Sequence, residues 1–143
     1  MPMTPHIKAH LSAREVVASE RFADSQGKHI GKALALYERL LEHGSWLLVQ
    51  VPVMRLNTMF DDAEHKPSRQ SLRLIKGYRE RPATSAPPVR IHFGAFAARR
   101  GRRDAFVANG NHRVLAARMR GDESIEAVMP EADYLRWLEV FDA

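Results

Sequence analysis

Cysteine is absent from the 143-residue chain, which removes a disulfide framework, thiolate metal sites and a cysteine nucleophile from consideration. Long apolar runs are missing too, and no stretch approaches the roughly 20 residues that cross a bilayer. The opening Met1-Pro-Met-Thr-Pro-His lacks the charged-then-apolar pattern of a secretory signal. Internal repeats and low-complexity segments are also lacking. These absences lead to the expectation of a soluble, cytoplasmic domain with no membrane partner. What is present is 45% hydrophobic residues, enough for a real core in a chain of single-domain size. Lys and Arg number 22 against 17 acids, a net charge of +5, so the expected partners are anionic: a nucleotide, DNA or an acidic protein face.

Residues 1–10 read as a loose lead-in. Ser12-Ala-Arg-Glu15 fits a capping box with Leu11 as its staple, opening a helix to about Phe22. Asp24–Gly27 breaks it. A second helix, about Lys28 to His43, carries Ile30, Ala33, Leu34, Tyr37 and Leu41 on one face, with Gly44 as its C-cap. Trp46–Leu56 is β-branched and apolar and reads as a strand, with Pro52 at an edge, a bulge or the strand's end. Residues 57–67 form a polar connection. Lys66–Glu80 is a helix with Leu72, Ile75 and Tyr78 inward and a basic outer side, ended by Pro82. Val89, Ile91 and Phe93 alternate with Arg90 and His92 in a strand that turns at 97–104 and returns over Ala105–Ala108. After Asn109-Gly110, a helix from Asn111 to Arg120 stops at Gly121. Ser124–Met129 is a last strand, and residues 130–141 form a C-terminal helix with Pro130 in its first turn.

The chemistry concentrates in Phe106-Val-Ala-Asn-Gly-Asn-His-Arg113. A strand runs into Asn-Gly, which tolerates positive φ, and a helix begins at once. The first helical N–H groups have no intrahelical partners and carry the positive end of the helix dipole, an arrangement that binds phosphate. His112 and Arg113 add a titratable donor and a fixed one, Asn111 caps or reaches a ligand, and Gly110 leaves room for a ligand to approach the backbone. The bland alternative is a common turn in which Arg113 pairs with a nearby carboxylate.

This segment resembles the signature of the ParB/sulfiredoxin superfamily, whose members carry Gly-x-His-Arg or Gly-Glu-Arg-Arg between a strand and a helix. The resemblance extends over residues 46–130: Val51-Pro-Val-Met-Arg-Leu56 resembles the opening strand, Ser71–Arg79 the following helix, Pro87-Pro-Val-Arg-Ile91 the start of the central hairpin and Ile125-Glu-Ala-Val128 the closing strand. It implies an α+β fold, a small mixed β-sheet flanked by helices, over 46–143, with residues 1–45 as an N-terminal helical extension. It further implies that Asn109, Gly110, Asn111, His112 and Arg113 contact nucleotide phosphates, with His112, Arg113 and Asn111 as candidate catalytic groups. A basic or hydroxyl residue of the preceding helix is placed over the phosphates; among Ser68, Arg69, Ser71 and Arg73, Arg69 is the first choice and Ser71 a second. Asn111 holds the position of the sulfiredoxin cysteine, and an amide cannot attack a phosphoryl group as a thiolate does. Asn109 stands where related free-serine kinases carry an aspartate, which removes one carboxylate for metal or substrate.

Outside the motif, Arg99, Arg100, Arg102 and Arg103 cluster on a hairpin tip, suited to DNA phosphate or to simple solubility. Asp61, Asp62 and Glu64 lie beside His65 as candidates for Mg²⁺ or a general base, with a solvated loop as the alternative. His29, His43 and His92 lack metal-ligand spacing, and no protein-held metal site is assigned. Trp137, four residues before Phe141, is read as core or partner packing. Two functional expectations lead, ahead of a small-molecule kinase, which needs an acidic catalytic residue that the sequence does not place. One is binding and hydrolysis of ATP or another NTP, with Mg²⁺ and coupled to DNA binding or cleavage as in ParB-like nucleases. The other is a non-catalytic, nucleotide-gated module of plasmid or phage type that attaches to DNA or a DNA-associated protein. The N-terminal helical pair is expected to set partner choice or oligomeric state, a homodimer included.

Overall fold

The computed structural model describes residues 5–20, 30–61, 66–81, 86–93 and 105–141, with backbone alone for Ile30, Val140 and Phe141. The arginine cluster at 99–103, Asp62, Glu64, His65, His29 and the expected break at 24–27 lie outside these residues.

The described residues form a mixed α+β fold. Six strands make one mixed sheet: β1 (His6–Leu11), β2 (Trp46–Pro52), β3 (Leu56–Asn57), β4 (Val89–Phe93), β5 (Ala105–Asn109) and β6 (Ser124–Pro130). Their order is β1-β2-β6-β4-β5-β3. Five α-helices accompany them: α1 (Ala13–Ser19), α2 (Ile30–Glu42), α3 (Arg69–Glu80), α4 (Asn111–Arg120) and α5 (Glu131–Phe141). The pairs β3–β5 and β4–β6 are parallel, and the other three are antiparallel.

The segment 46–57 explains much of this topology. Trp46–Pro52 is covered on both faces, Leu47, Val49 and Val51 packing on one and Trp46 and Leu48 on the other, so it reads as a nearly continuous apolar run. Pro52 lacks an N–H and sits at the strand's end, opposite Ser124. The strand expected to reach Leu56 therefore stops at Pro52. A 3₁₀ turn, Val53–Arg55, carries the chain across, and Leu56–Asn57 pairs with β5 at the far edge of the sheet.

Each face of the sheet has its own core. Leu47, Val49, Val51, Val89, Ile91, Phe93, Ala127 and Met129 pack with Val114 and Ala117 of α4 and with Tyr134 and Trp137 of α5. On the opposite face Trp46 and Val128 pack with Ala13 and Val16 of α1 and with Leu36 and Leu40 of α2. Trp46 Nε1 also donates to the Leu40 carbonyl at 2.9 Å, a second donor beside His43 N at the end of α2. The capping box forms as expected, with Glu15 N donating to Ser12 Oγ and Ser12 N to Glu15 Oε1. Leu11 joins the cluster that holds Val16.

Several expectations are corrected. The lead-in is not loose throughout: His6–Leu11 is an edge strand whose irregular exposure hides its period. On α2 the buried positions are Leu36 and Leu40, at 5% and 2% exposure, whereas Leu34 and Leu41 stand at 59% and 54%. The helix faces the sheet through Trp46, roughly a third of a turn from the stripe the sequence suggests. Leu72 is 52% exposed, leaving Ile75 as the buried residue of α3. Pro130 ends β6, opposite Trp46, and α5 starts one residue later.

Candidate functional site

Two helices frame the Asn109–Arg113 turn. At one end Ser71 Oγ of α3 lies 3.0 Å from His112 Nε2 of α4. At the other, Arg120 Nη1 of α4 donates to the Tyr78 carbonyl of α3 at 2.6 Å. Matching early residues with early and late with late means the helices run side by side in the same direction. Their N-termini therefore meet, and their dipoles add at that end. Ser68 caps α3, accepting from Ser71 N at 3.1 Å. The N-cap of α4 is Gly110, which has no side chain to cap it, so the orphan N–H groups of the first turn are left for other acceptors.

Gly110 takes φ 115°, in the left-handed region, between β5 and α4. A methyl built on it would lie 2.5 Å from Val89 Cγ1 and 2.9 Å from Arg113 Nη2. The close approach that requires glycine is thus made by the protein itself, by β4 and the next arginine.

The motif side chains divide by task. Asn111 Oδ1 accepts from Met59 N at 2.9 Å, pinning a 3₁₀ turn, Met59–Asp61, over the start of α4. Arg113 is buried, 7% exposed, and its Nη1 donates to the carbonyls of Pro87 and Pro88 at 2.6 and 2.9 Å. Burial lowers its pKa from the ordinary value, while Tyr78 and Glu20 act in the opposite sense; a guanidinium starting so high stays charged. His112 is left facing Ser71 and the Phe60 ring, whose centroid is 5.6 Å away. Burial and then the Arg113 charge lower its pKa, so near neutrality it is an uncharged imidazole. Asn109 ends β5 opposite Arg90. Arg69, the first residue of α3, is exposed, and Ser71 is half-buried.

Sequence reasoning missed the clasp over this turn. Arg118 donates to both carboxylate oxygens of Asp61, at 2.8 and 2.9 Å, and to the Leu56 carbonyl. Asp61 also accepts from Thr58 N at 2.7 Å. These partners lie 57 and 62 residues apart, and no local pattern signals such a pairing. Phe60 was likewise hidden in an apparently polar connection.

Among the described residues, two cavities that border the sheet stand out. One, of about 180 Å³, is lined by Arg113 and Arg120 of α4, by Tyr78, and by residues of β1, β2 and β6. The other is bordered by His43 and Trp46, by Arg90 and His92 of β4, and by Asp133 and Arg136 of α5. Here His92 stacks on Phe106, and Asp133 accepts from Phe93 N and from Arg136. No group of three or more His, Asp or Glu suited to a metal occurs among the described residues. No described helix is long and apolar enough to cross a membrane. No protein-family model, curated protein or solved structure matches the chain.

Proposed function

We propose that the protein binds a nucleotide through its phosphates at the shared N-terminal end of α3 and α4, as a module gating attachment to DNA or a DNA-associated protein. The observation that carries this reading is the 3.0 Å pairing of Ser71 and His112 where two helix dipoles converge, beside a helix start with no side-chain cap. Backbone N–H groups of residues 111–113 hold the phosphate oxygens, Ser71 and His112 donate to them, and Arg69 reaches from the first turn of α3. Asn111 and Arg113 shape the turn. The resemblance to ParB/sulfiredoxin domains supports the same location, and a net charge of +5 suits a polyanionic partner.

Binding is favoured over turnover by the state of Asp61. This acid of the 59–61 turn is engaged by Arg118 and Thr58, so it is not poised to activate water. Mg²⁺ would arrive on the phosphates, since the described residues offer no cage of oxygen ligands. The test is a thermal-shift and calorimetric panel of ATP, CTP, GTP and ADP, each with and without Mg²⁺. At least one nucleotide is expected to stabilise the protein. Ser71→Ala and His112→Ala should each weaken it roughly tenfold, the scale of one lost hydrogen bond to a charged group. Phosphate release with ATP would restore the hydrolytic reading; no stabilisation by any nucleotide would overturn the site.

A further inference from the structure

The cavity of about 180 Å³ beside Arg113 is separate from the Ser71–His112 end. Its charges do not balance. At the rim, Lys8 pairs with Glu126 at 3.1 Å and Arg120 with Asp122 at 2.8 Å. Arg113 is different. It is 7% exposed, and its partners among the described residues are two neutral carbonyls. Tyr78 and then Glu20 act on it electrostatically, but the Glu20 carboxylate already forms an ion pair with Arg90 through Oε1, its Oε2 having no hydrogen-bond partner among the described residues. One carboxylate thus serves two guanidinium groups, and a buried cation facing a cavity is left short of an anion.

The remaining walls specify what such an anion carries. Tyr78, Pro87 and Ile125 give the cavity apolar surface. Gln50 Nε2 donates to Ser124 Oγ at 2.7 Å, which leaves the serine hydroxyl proton and the glutamine carbonyl to a ligand. In size the cavity only slightly exceeds the ~150 Å³ that holds one benzene ring. It falls below the roughly 300 Å³ at which drug-sized pockets begin, so a whole nucleotide does not fit. We propose that this cavity is a second binding site, for a small anion of about one ring's size whose carboxylate or phosphate pairs with Arg113 while its body lies against Tyr78, Pro87 and Ile125. This goes beyond nucleotide binding at α3 and α4 and does not rest on it.

The probes are benzoate and phenyl phosphate, which separate the two head groups, with uncharged benzamide as control. They are added to the full chain and followed by thermal shift and by the arginine Nε–Hε resonances. Saturable stabilisation by either anion with movement of the Arg113 signal is expected, with none from benzamide. Arg113→Gln should weaken binding roughly tenfold to a hundredfold, as for loss of a charge-assisted hydrogen bond. Because that variant removes a buried group, Ala86→Trp is the second: it fills the cavity from its rim and should abolish the response while leaving Ser71 and His112 in place. Ser71→Ala should leave benzoate and phenyl phosphate binding unchanged, which separates failure of this site from failure of the nucleotide site. An equal response to benzamide, retention of binding in Ala86→Trp, or no response to either anion would each overturn the proposal.

Discussion

Gly110 has a left-handed backbone with Val89 Cγ1 and Arg113 Nη2 within 3 Å of where a methyl would stand. The Gly110→Ala variant combines the cost of a non-glycine residue at positive φ with overpacking against β4, each on the order of 1–3 kcal/mol. Its unfolding free energy, measured by denaturant titration, should fall by about 2–6 kcal/mol. A loss below ~1 kcal/mol would mean that β4 gives way easily and that the turn is softer than its geometry. The motif's location was legible in the sequence, because Asn-Gly before a helix has a local physical meaning. The tasks of its side chains were not, since Asn111, Arg113 and His112 are defined by Met59, Pro87, Pro88 and Ser71, all distant along the chain.

Among the elements, the pair α3 and α4 carries the functional reading, and His112 makes it sensitive to pH. Its pKa is lowered by burial and by the Arg113 charge, so the unfolded chain, near the ordinary value of about 6.5, takes up a proton before the folded one. Stability from this group is therefore complete above about pH 6.5 and lost as pH falls below it toward the folded pKa. His92 acts in the same sense: burial, Arg90 and His43 lower its pKa, and Asp133 opposes them. The melting temperature of the free protein should drop between about pH 7 and 5, and His112→Gln should flatten part of that drop. A bound phosphate reverses the sign at His112 by favouring the imidazolium, so nucleotide affinity should rise over the same range. Affinity that is flat or falling on acidification would place the phosphates away from His112. The boundaries of α4 were readable from its flanking glycines, but the buried faces of α2 and α3 were not. Both helices carry more apolar positions than they bury, and the layer beneath chooses among them.

Over the whole molecule, β2 binds the two cores together, giving Leu47, Val49 and Val51 to one face of the sheet and Trp46 to the other. The boundary near residue 45 that the resemblance implies falls between elements that share this strand: β1 is hydrogen-bonded to β2, and α1 and α2 pack on Trp46. That coupling was illegible because β1 shows no clean alternation and its partner lies about forty residues away. The chain's two tryptophans stand on opposite faces, Trp46 at 3% exposure against α2 and Trp137 at 0% against Phe93. Trp46→Phe and Trp137→Phe each leave a single emitter that reports one layer. If the sheet couples its layers, both emitters and the far-ultraviolet circular dichroism of each variant should share one denaturant midpoint. Leu40→Ala on the α2 face, costing about 2–5 kcal/mol, should then lower the Trp137 transition as much as the Trp46 transition. An effect confined to Trp46 would mean that the α1–α2 layer melts by itself, and that the N-terminal helices form a separable unit resting on the sheet.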